Sequence, residues 1–314
     1  MAQILITGFG GGLAQRVAEL LLDEGHQVRG VDYRPVRPLT GRLAEVPIHQ
    51  ANYNKTAIED VFRHHPPEVV LHLGRVGNLK ESLNKRFDLN VVGSQKIMNL
   101  CAQHRVRRLM VLSTFHIYGA DPLNHTPIYE EDPVRAGTEF PQLADAIQLD
   151  NLATTWVYQH PQCRVVVLRP TNVIGPTIRN AMSNFLRLPT VPHLFGFNPM
   201  SQFLHESDLA AAVVAAAHSE ATGIFNLAGP DPAPWLTALD LVRAATYPLP
   251  SSLTSLFVRA FSRFPAYLVK FFKYPCVISD QRFRDTFRWQ SRVSLPTTLW
   301  TTVAEARARQ VPRL

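Results

Sequence analysis

The chain of 314 residues is long enough to bury a large hydrophobic core. Hydrophobic residues make up 46% of the sequence and charged residues 18%, a balance that excludes an intrinsically disordered chain. The formal net charge of +7 favours anionic ligands such as phosphates, nucleotides or acidic lipid surfaces, although its simplest explanation is a solvated basic surface. Because the basic residues are dispersed and form no recognition module, we expect no binding of nucleic acid.

Cysteine usage and the N-terminal sequence predict a reduced, soluble and cytoplasmic protein. Cys101, Cys163 and Cys276 are far apart and odd in number, and the sequence has no metal-ligand spacing, so we expect no bound metal. Residues 1–6 lack the charged segment of a signal peptide and run directly into glycines. The alanine- and valine-rich run 209–217 is about half as long as a bilayer span requires.

Short apolar runs alternate with helical patterns in the first half of the chain, which is typical of βαβ units and a parallel sheet. Each connection is long enough for a right-handed crossover. The predicted strands are Gln3–Thr7, Gln27–Asp32, Val69–Leu73, Leu109–Ser113 and Val165–Arg169, and the predicted helices are Leu13–Glu24, Thr56–His64, Phe87–His104 and Ala144–Gln159.

The sequence pattern changes after Pro170. Prolines recur there and favour short elements, apart from one predicted alanine-rich helix, Asp208–His218. We therefore predict an α/β protein with a Rossmann-type, doubly wound parallel sheet. Residues 1–170 form the dinucleotide-binding domain in this prediction. Residues 171–314 form a small C-terminal substrate lobe with segments that return to the sheet.

A glycine-rich turn follows the first predicted strand and leads into the N-terminus of a predicted amphipathic helix. Gly8 permits the tight turn, Gly11 lets the backbone approach a pyrophosphate, and Ala14 allows close packing of helix and strand. The helix N-terminus offers unpaired N–H groups and a positive dipole to phosphates. The sequence therefore predicts a dinucleotide site here, and a turn that serves only packing is the simpler alternative.

The choice between NAD and NADP depends on the end of the second predicted strand. Asp32 is placed there to accept hydrogen bonds from the adenosine ribose, and its charge repels a 2′-phosphate. This favours NAD. Arg34 and Arg37 follow closely and keep NADP as the less favoured alternative.

Segments along nearly the whole chain resemble one known family. The segments, in chain order, are Thr7–Ala14, Asn90–Gly93, Ser113–Gly119, Arg169–Pro176, Phe203–Ala210 and Gly223–Gly229. Together they resemble the extended short-chain dehydrogenase/reductase superfamily, in its NAD-dependent epimerase/dehydratase branch. The resemblance implies contacts to the cofactor from Gly8, Phe9, Gly10, Gly11, Gly12, Leu13, Ala14, Asp32 and Asn90.

The resemblance also implies a mechanism, and the chain departs from it. In this family a tyrosine, ionised with help from a lysine four residues later, removes a proton from a substrate hydroxyl while hydride passes to the cofactor. A serine or threonine hydroxyl orients the substrate, and Thr114 stands in that position. Gln142 replaces the tyrosine and Ala146 replaces the lysine. Glutamine cannot ionise near neutral pH and alanine cannot lower the pKa of a neighbour, so the usual base is missing.

Two further departures concern the substrate and the type of reaction. Phe115 and His116 stand where family dehydratases carry an Asp-Glu pair, which disfavours that lyase chemistry. Ser201 stands where nucleotide-sugar epimerases carry an arginine that holds the diphosphate. We therefore expect a substrate other than an ordinary nucleotide sugar.

Several residues remain as candidates for chemistry or for substrate binding. His116 is the most suggestive replacement base, because imidazole has an ordinary pKa of about 6.5. The alternative to a catalytic role is that its ring forms a local hydrogen bond or packs as an aromatic group. Thr114 and His116 are accordingly the predicted catalytic pair. Thr171 and Asn172 follow the strand that ends at Arg169 and are predicted substrate contacts, unless they only fix the turn.

The segment 251–275 carries apolar residues at helical spacing together with arginine and lysine. Such a stretch is able to lie on an anionic membrane or to cover a lipid-like substrate, and packing within the lobe or at a homodimer contact is the alternative.

Two functions are consistent with these observations. The first is an NAD-binding enzyme that acts on a hydroxyl- or keto-bearing small molecule with a non-standard acid/base. The second is a catalytically inactive NAD-binding sensor or scaffold whose small molecule is an effector. The fold alone does not separate them.

Overall fold

A seven-stranded parallel sheet forms the centre of the protein. The computed structural model describes residues 1–76, 81–254 and 267–308. The strands of the sheet lie in the order β11-β6-β5-β4-β1-β2-β3. The reversal of strand order beside β1 makes the fold doubly wound, as predicted, and ligands of such folds bind outside the carboxyl ends of the strands at that point. The strands are β1 (Gln3–Thr7), β2 (Gln27–Asp32), β3 (Ile48–Gln50), β4 (Val69–His72), β5 (Arg108–Leu112), β6 (Arg164–Pro170) and β11 (Gly223–Leu227).

Helices cover both faces of this sheet. The helices predicted from the sequence lie within two residues of their expected ends, except the one predicted at Phe87–His104. There a π-helical segment, Asp88–Val92, interrupts the helical path. The described α-helices are α1 (Gly12–Asp23), α2 (Thr56–His64), α3 (Leu83–Phe87), α4 (Gly93–Gln103), α5 (Ala136–Glu139), α6 (Ala144–Gln159), α7 (Ala181–Leu186), α8 (Glu206–His218), α9 (Trp235–Leu241), α10 (Leu268–Phe271), α11 (Gln281–Phe287) and α12 (Leu295–Ala308). None of them is long and apolar enough to cross a membrane.

Two apolar layers hold the helices on the sheet. Successive side chains of a strand point to opposite faces, so a strand buried on both sides reads as a continuous apolar run. In β1, Ile4 and Ile6 belong to the layer under α1 and α8, whereas Leu5 packs with Phe62 and Met98 on the other face. All three cysteines are free and buried within the protein.

The chain beyond Pro170 contributes strand β11 to this sheet and helix α8 to the layer that covers it. It also forms three small two-stranded sheets. These sheets pair β10 (Phe203–His205) with β7 (Asn172–Ile174), β12 (Ala233–Pro234) with β9 (Met200–Ser201), and β13 (Ala245–Leu249) with β8 (Thr190–Leu194). A separate apolar cluster lies among them, with Trp235, Phe185 and Phe203 at its centre.

The end of the segment 251–275, from residue 267 onward, packs against the protein. Phe271 lies edge-on to Phe115, with ring centroids 5.7 Å apart, and Phe272 lies 4.7 Å from Trp235. Both phenylalanines are buried. Leu253, near the start of the segment, is exposed, and residues 255–266 lie outside the described part of the chain, so the expectation of lipid contact stays a prediction.

A buried ion pair fixes the carboxyl ends of the central strands. The guanidinium of Arg169 donates to both carboxylate oxygens of Asp150, at 3.0 and 2.6 Å, and the hydroxyl of Ser113 donates to the same carboxylate at 2.5 Å. Arg169 also donates to the hydroxyl of Tyr118 at 2.8 Å, and Tyr118 donates to Asn226 on β11 at 2.8 Å. Although burial disfavours the charged form, these bonds raise the pKa of Arg169. The pair thus joins β5, β6, β11 and α6.

We predict that Asp150→Asn lowers the free energy of unfolding by about 3–5 kcal/mol, because it leaves the charge of Arg169 buried without an anion. Urea unfolding at neutral pH measures this change. Asp60→Asn is the matched control, since Asp60 pairs with Arg63 on the exposed face of α2 and such pairs contribute about 0–1 kcal/mol. Equal losses in the two variants would contradict the role assigned to Asp150.

Candidate functional site

The glycine turn between β1 and α1 has the geometry that a dinucleotide requires. Gly8 has φ +74°, and a Cβ atom at this position would lie 2.6 Å from the Cα of Gly74. Gly10, Gly11 and Gly12 are exposed, and the N-terminus of α1 has no side-chain cap. The backbone N–H groups of the first helical turn are thus open to an anion. These features fit the pyrophosphate of NAD.

Asp32 lies directly beside the turn. Its carboxylate accepts the N–H of Gly10 at 2.9 Å on one oxygen and the N–H of Arg34 at 2.9 Å on the other. The side chain is buried, so these two bonds fix its orientation. A carboxylate has about four lone-pair sites, which leaves acceptor capacity for ribose hydroxyls.

Three predicted cofactor residues have other contacts in the structure. The ring of Phe9 is fully buried under Gly30, so only its backbone faces the turn, and Leu13 is half-buried against the core. The side chain of Asn90 accepts from the N–H of Val76 at 2.7 Å and donates to Asp145 at 2.5 Å. Asn90 therefore holds the chain after β4 in place. It lies in the π-helical segment Asp88–Val92, which sets the direction of its side chain.

Thr114 and His116 lie together at the carboxyl end of β5, as the sequence predicts. Thr114 Oγ1 and His116 Nδ1 are 2.9 Å apart, and His116 Nε2 is buried with no hydrogen-bond partner in the described part of the chain. The imidazole packs against the rings of Phe115, Phe271 and Tyr267 at 4.3, 4.9 and 5.5 Å. Burial among these rings and the charge of Arg75 lower the pKa of His116 to about 3. The expectation of a titration near 6.5 is therefore wrong.

The positions of the missing tyrosine and lysine carry no acid or base. Gln142 is exposed, and its backbone carbonyl oxygen accepts a hydrogen bond from Arg86 at 2.8 Å. Ala146 is buried with 2% of its surface exposed. Between them, Asp145 is fully buried and forms an ion pair with Arg86. The sequence reasoning missed this carboxylate, because it searched only the tyrosine and lysine positions of the motif.

The two predicted substrate contacts are tied to one carbonyl group. Thr171 Oγ1 and Asn172 Nδ2 donate to the backbone oxygen of Gln202 at 3.2 and 3.1 Å. Thr171 is buried and Asn172 is half-buried. These bonds fit the alternative that both residues fix the turn after β6, and only Asn172 keeps a partly open side chain.

Arg75 and Tyr267 also lie near the predicted catalytic pair. Arg75 follows β4 and its charge lowers the pKa of His116, whereas Tyr267 immediately precedes α10 and contacts the imidazole. Neither residue belongs to a local motif, and no signal in the sequence marks them. The topology brings together chain segments that are far apart in sequence.

One group of potential metal ligands is present among the described residues, at the opposite edge of the sheet. Ligand atoms of Glu24, His26 and His218 lie within 4.8 Å of one another. His218 Nε2 is 2.6 Å from the Glu24 carboxylate, and His26 Nδ1 accepts the N–H of Ala2 at 3.2 Å. That bond places the proton of a neutral His26 ring on Nε2, where it blocks a metal. The hydrogen bond between Glu24, which follows α1, and His218 of α8 accounts for their approach.

Comparison with family models identifies the class of protein. The model of the NAD dependent epimerase/dehydratase family matches residues 4–228. The chain belongs to this family, as its motifs predict. Because the family is NAD-dependent, the prediction of NAD as the cofactor is confirmed at the level of the family.

Curated relatives are similar over much of the chain. Uncharacterised proteins of Mycobacterium tuberculosis are 29% identical over 238 residues, which is 71% of this chain and 61% of theirs. The chain thus spans about three fifths of the length of these relatives. A UDP-glucuronate 4-epimerase of Thermodesulfobacterium geofontis is 26% identical over 251 residues, which is 73% of this chain and 76% of the relative.

Solved structures share the fold over the whole chain. A UDP-glucose 4-epimerase from Stenotrophomonas maltophila, with bound NAD and formylated UDP-arabinopyranose, matches with a TM-score of 0.80 and 18% identity, covering 99% of both chains. A UDP-glucose 4-epimerase from Thermus thermophilus in complex with NAD matches with a TM-score of 0.75 and 21% identity, covering 97% of this chain and 98% of the other. At these identities the likeness shows the Rossmann-type fold.

We predict that the protein binds NAD more tightly than NADP, because the buried Asp32 carboxylate repels a 2′-phosphate. Asp32→Ser should narrow or reverse the preference, with a loss of NAD affinity of about tenfold for a charged hydrogen bond. Calorimetric titration of both dinucleotides measures the two affinities. Asp23→Ser is the control, since that exposed carboxylate at the end of α1 pairs with Arg42 away from the turn. Tighter binding of NADP by the wild type would contradict the assignment of Asp32.

Proposed function

We propose that the protein is an NAD-dependent enzyme that acts on a hydroxyl- or keto-bearing small molecule with a non-standard acid/base. The observation that carries this proposal is the contact between Thr114 and His116 at the carboxyl end of β5, the same end of the sheet as the glycine turn. One of the curated relatives and both of the solved structures reported above bear the names of epimerases, and nothing in the comparisons supports the alternative of an inactive sensor. Residues 171–314 are proposed to supply the substrate lobe, with Asn172 as a substrate contact.

Gly8–Ala14 and Asp32 would hold the dinucleotide, with the pyrophosphate at the N-terminus of α1. When bound, NAD supplies the acceptor or donor of a hydride. The residues of this chain must then bind the substrate oxygen and move its proton. Thr114 is proposed to orient that oxygen, because its hydroxyl stands at the end of β5 and is already bonded to His116.

His116 is proposed to hold the proton only transiently. Its pKa of about 3 keeps the imidazole neutral near pH 7, so Nδ1 would accept the proton of the Thr114 hydroxyl as that hydroxyl takes up the proton of the substrate, and it would return the proton along the same path in the reverse reaction. The bonded Thr114 hydroxyl is the natural partner for this exchange. A neutral imidazole needs no neighbouring lysine, which is consistent with Ala146 at the lysine position.

Ordinary nucleotide-sugar epimerisation is not the activity that we propose. The epimerase names belong to the relatives, whereas this chain has Gln142, Ala146 and Ser201 at three positions which that chemistry uses. Contact of segment 251–275 with lipid and assembly as a homodimer stay predictions.

We predict that the purified protein turns over UDP-glucose at least about 10²-fold more slowly than an epimerase that has the tyrosine, because general acid–base catalysis contributes about 10²–10⁴-fold. Chromatographic detection of UDP-galactose measures this activity. Robust turnover would contradict the proposal. The double variant Gln142→Tyr, Ala146→Lys restores both missing side chains and should therefore raise the epimerase activity.

We predict that His116→Ala reduces turnover by about 10²-fold or more while NAD affinity is unchanged. Oxidation or reduction of the dinucleotide with a panel of alcohols and carbonyl compounds measures turnover. His125→Ala is the control, because that imidazole is exposed and pairs with Asp132. Since His116 is neutral well above pH 3, the wild-type rate should show no break near pH 6.5 that His116→Ala removes. Full activity of His116→Ala would contradict a role of this histidine in catalysis.

A further inference from the structure

The region beside His116 contains a half-buried arginine, Arg75, without a matching anion in the described part of the chain. The Nε atom of Arg75 is shielded from solvent and has no hydrogen-bond partner in the described part of the chain. No carboxylate within the described ranges forms an ion pair with it, unlike Arg86 and Arg169. Burial lowers the pKa of Arg75, but an arginine side chain remains protonated at neutral pH. A partly shielded guanidinium without an ion-pair partner favours the binding of an anion.

The nearest carboxylate does not supply that anion, because other groups already hold it. Asp145 forms a buried ion pair with Arg86 and accepts a hydrogen bond from Asn90 at 2.5 Å. Arg75 experiences both the attraction of Asp145 and the repulsion of Arg86. Two guanidinium groups therefore face one carboxylate, and one positive charge is left over.

The other titratable groups near Arg75 carry no negative charge. His116 is neutral, with a pKa of about 3, and its ring lies 5.5 Å from the ring of Tyr267 at nearly a right angle. Burial raises the pKa of Tyr267, while Arg75 and Arg86 act in the opposite direction. The phenol is thus protonated near pH 7 and is a hydrogen-bond donor. Arg75 and Tyr267 together offer one charge and several donors.

We propose that Arg75 binds a carboxylate group of the substrate and that Tyr267 donates a second hydrogen bond to it. This inference rests on the proposed function, and it adds the substrate class: a hydroxy or keto acid, or a uronic acid derivative. A carboxylate carries one negative charge and matches the fork of a guanidinium with two parallel bonds. A phosphate near neutral pH carries about two negative charges and would exceed the one unpaired positive charge of Arg75.

The cofactor is the competing ligand for Arg75. The residue follows Gly74, whose Cα lies against the turn at Gly8. Its side chain, however, interacts with His116, Tyr267 and Asp145, which belong to the predicted catalytic side of the site. This placement favours the substrate, and the experiment includes a measurement of NAD affinity to separate the two.

Calorimetry or thermal shift on the NAD-loaded protein tests the proposal with matched probes: lactate against lactamide, glucuronate against glucose, and inorganic phosphate. We expect saturable binding of at least one carboxylate, with no binding of its neutral partner. Arg75→Met should weaken this binding by about 30-fold or more, as expected when one partner of a buried charged pair is removed. Arg75→Lys should retain part of it, and Tyr267→Phe should weaken it less. Arg63→Met, on the exposed face of α2, should have no effect.

Four outcomes would overturn the proposal: no carboxylate binds, a neutral partner binds equally well, phosphate alone binds, or Arg75→Met loses NAD affinity instead. Failure of the proposed function is a separate result. The wild type would then show no measurable NAD binding, or would bind NAD and a carboxylate without any turnover that depends on Thr114 and His116.

Discussion

The arrangement of the site depends on the buried ion pair between Arg169 and Asp150. Removing two charges from water costs several kcal/mol for each ion, and only close, well-oriented bonds offset this cost. The structure provides them, because Asp150 accepts two bonds from Arg169 and a third from Ser113. Thr114 follows Ser113, and Thr171 lies two residues after Arg169. The pair therefore fixes the strand ends that carry the predicted catalytic and substrate residues.

The same pair also ties helix α6 to the sheet. Asp150 lies in this helix, as do Asp145 and Ala146, so the bond to β6 also sets where the altered catalytic positions stand. Asp145 in turn holds Asn90 and Arg86, which position the chain on either side of residues 77–80. A change in substrate chemistry can thus occur at Gln142, Ala146 and Arg75 without a change in the framework.

The charges around the site form one consistent arrangement. An epimerase of this family holds a lysine beside its catalytic tyrosine, whereas this chain has alanine at that position and a half-buried arginine after β4, beside a neutral imidazole. Under the proposal for Arg75, this cation holds an anionic group of the ligand.

The sequence predicts the parts of this structure that local patterns encode. The strand at Gln3–Thr7, the glycine turn and Asp32 are recognised because their spacing follows from the βα geometry itself. The pairing of Thr114 with His116 also follows, since two residues on one short segment must lie close together. The pKa of His116 does not follow, because it depends on Phe271 and Tyr267, which lie more than a hundred residues away along the chain.

Arg75 and Asp145 could not be predicted for a related reason. A charged side chain in a sequence is usually solvated, and only the three-dimensional packing shows that Asp145 is buried and that Arg75 is partly shielded from solvent. The role of Asn90 was likewise visible only from its bonds to Val76 and Asp145.

A crystal structure of the complex with NAD tests the central claim most directly. The account predicts that the pyrophosphate lies against the backbone of Gly10, Gly11 and Gly12, with the adenosine ribose at Asp32 and the nicotinamide ring beside Thr114. A dinucleotide bound elsewhere, or a nicotinamide ring directed away from Thr114 and His116, would contradict it.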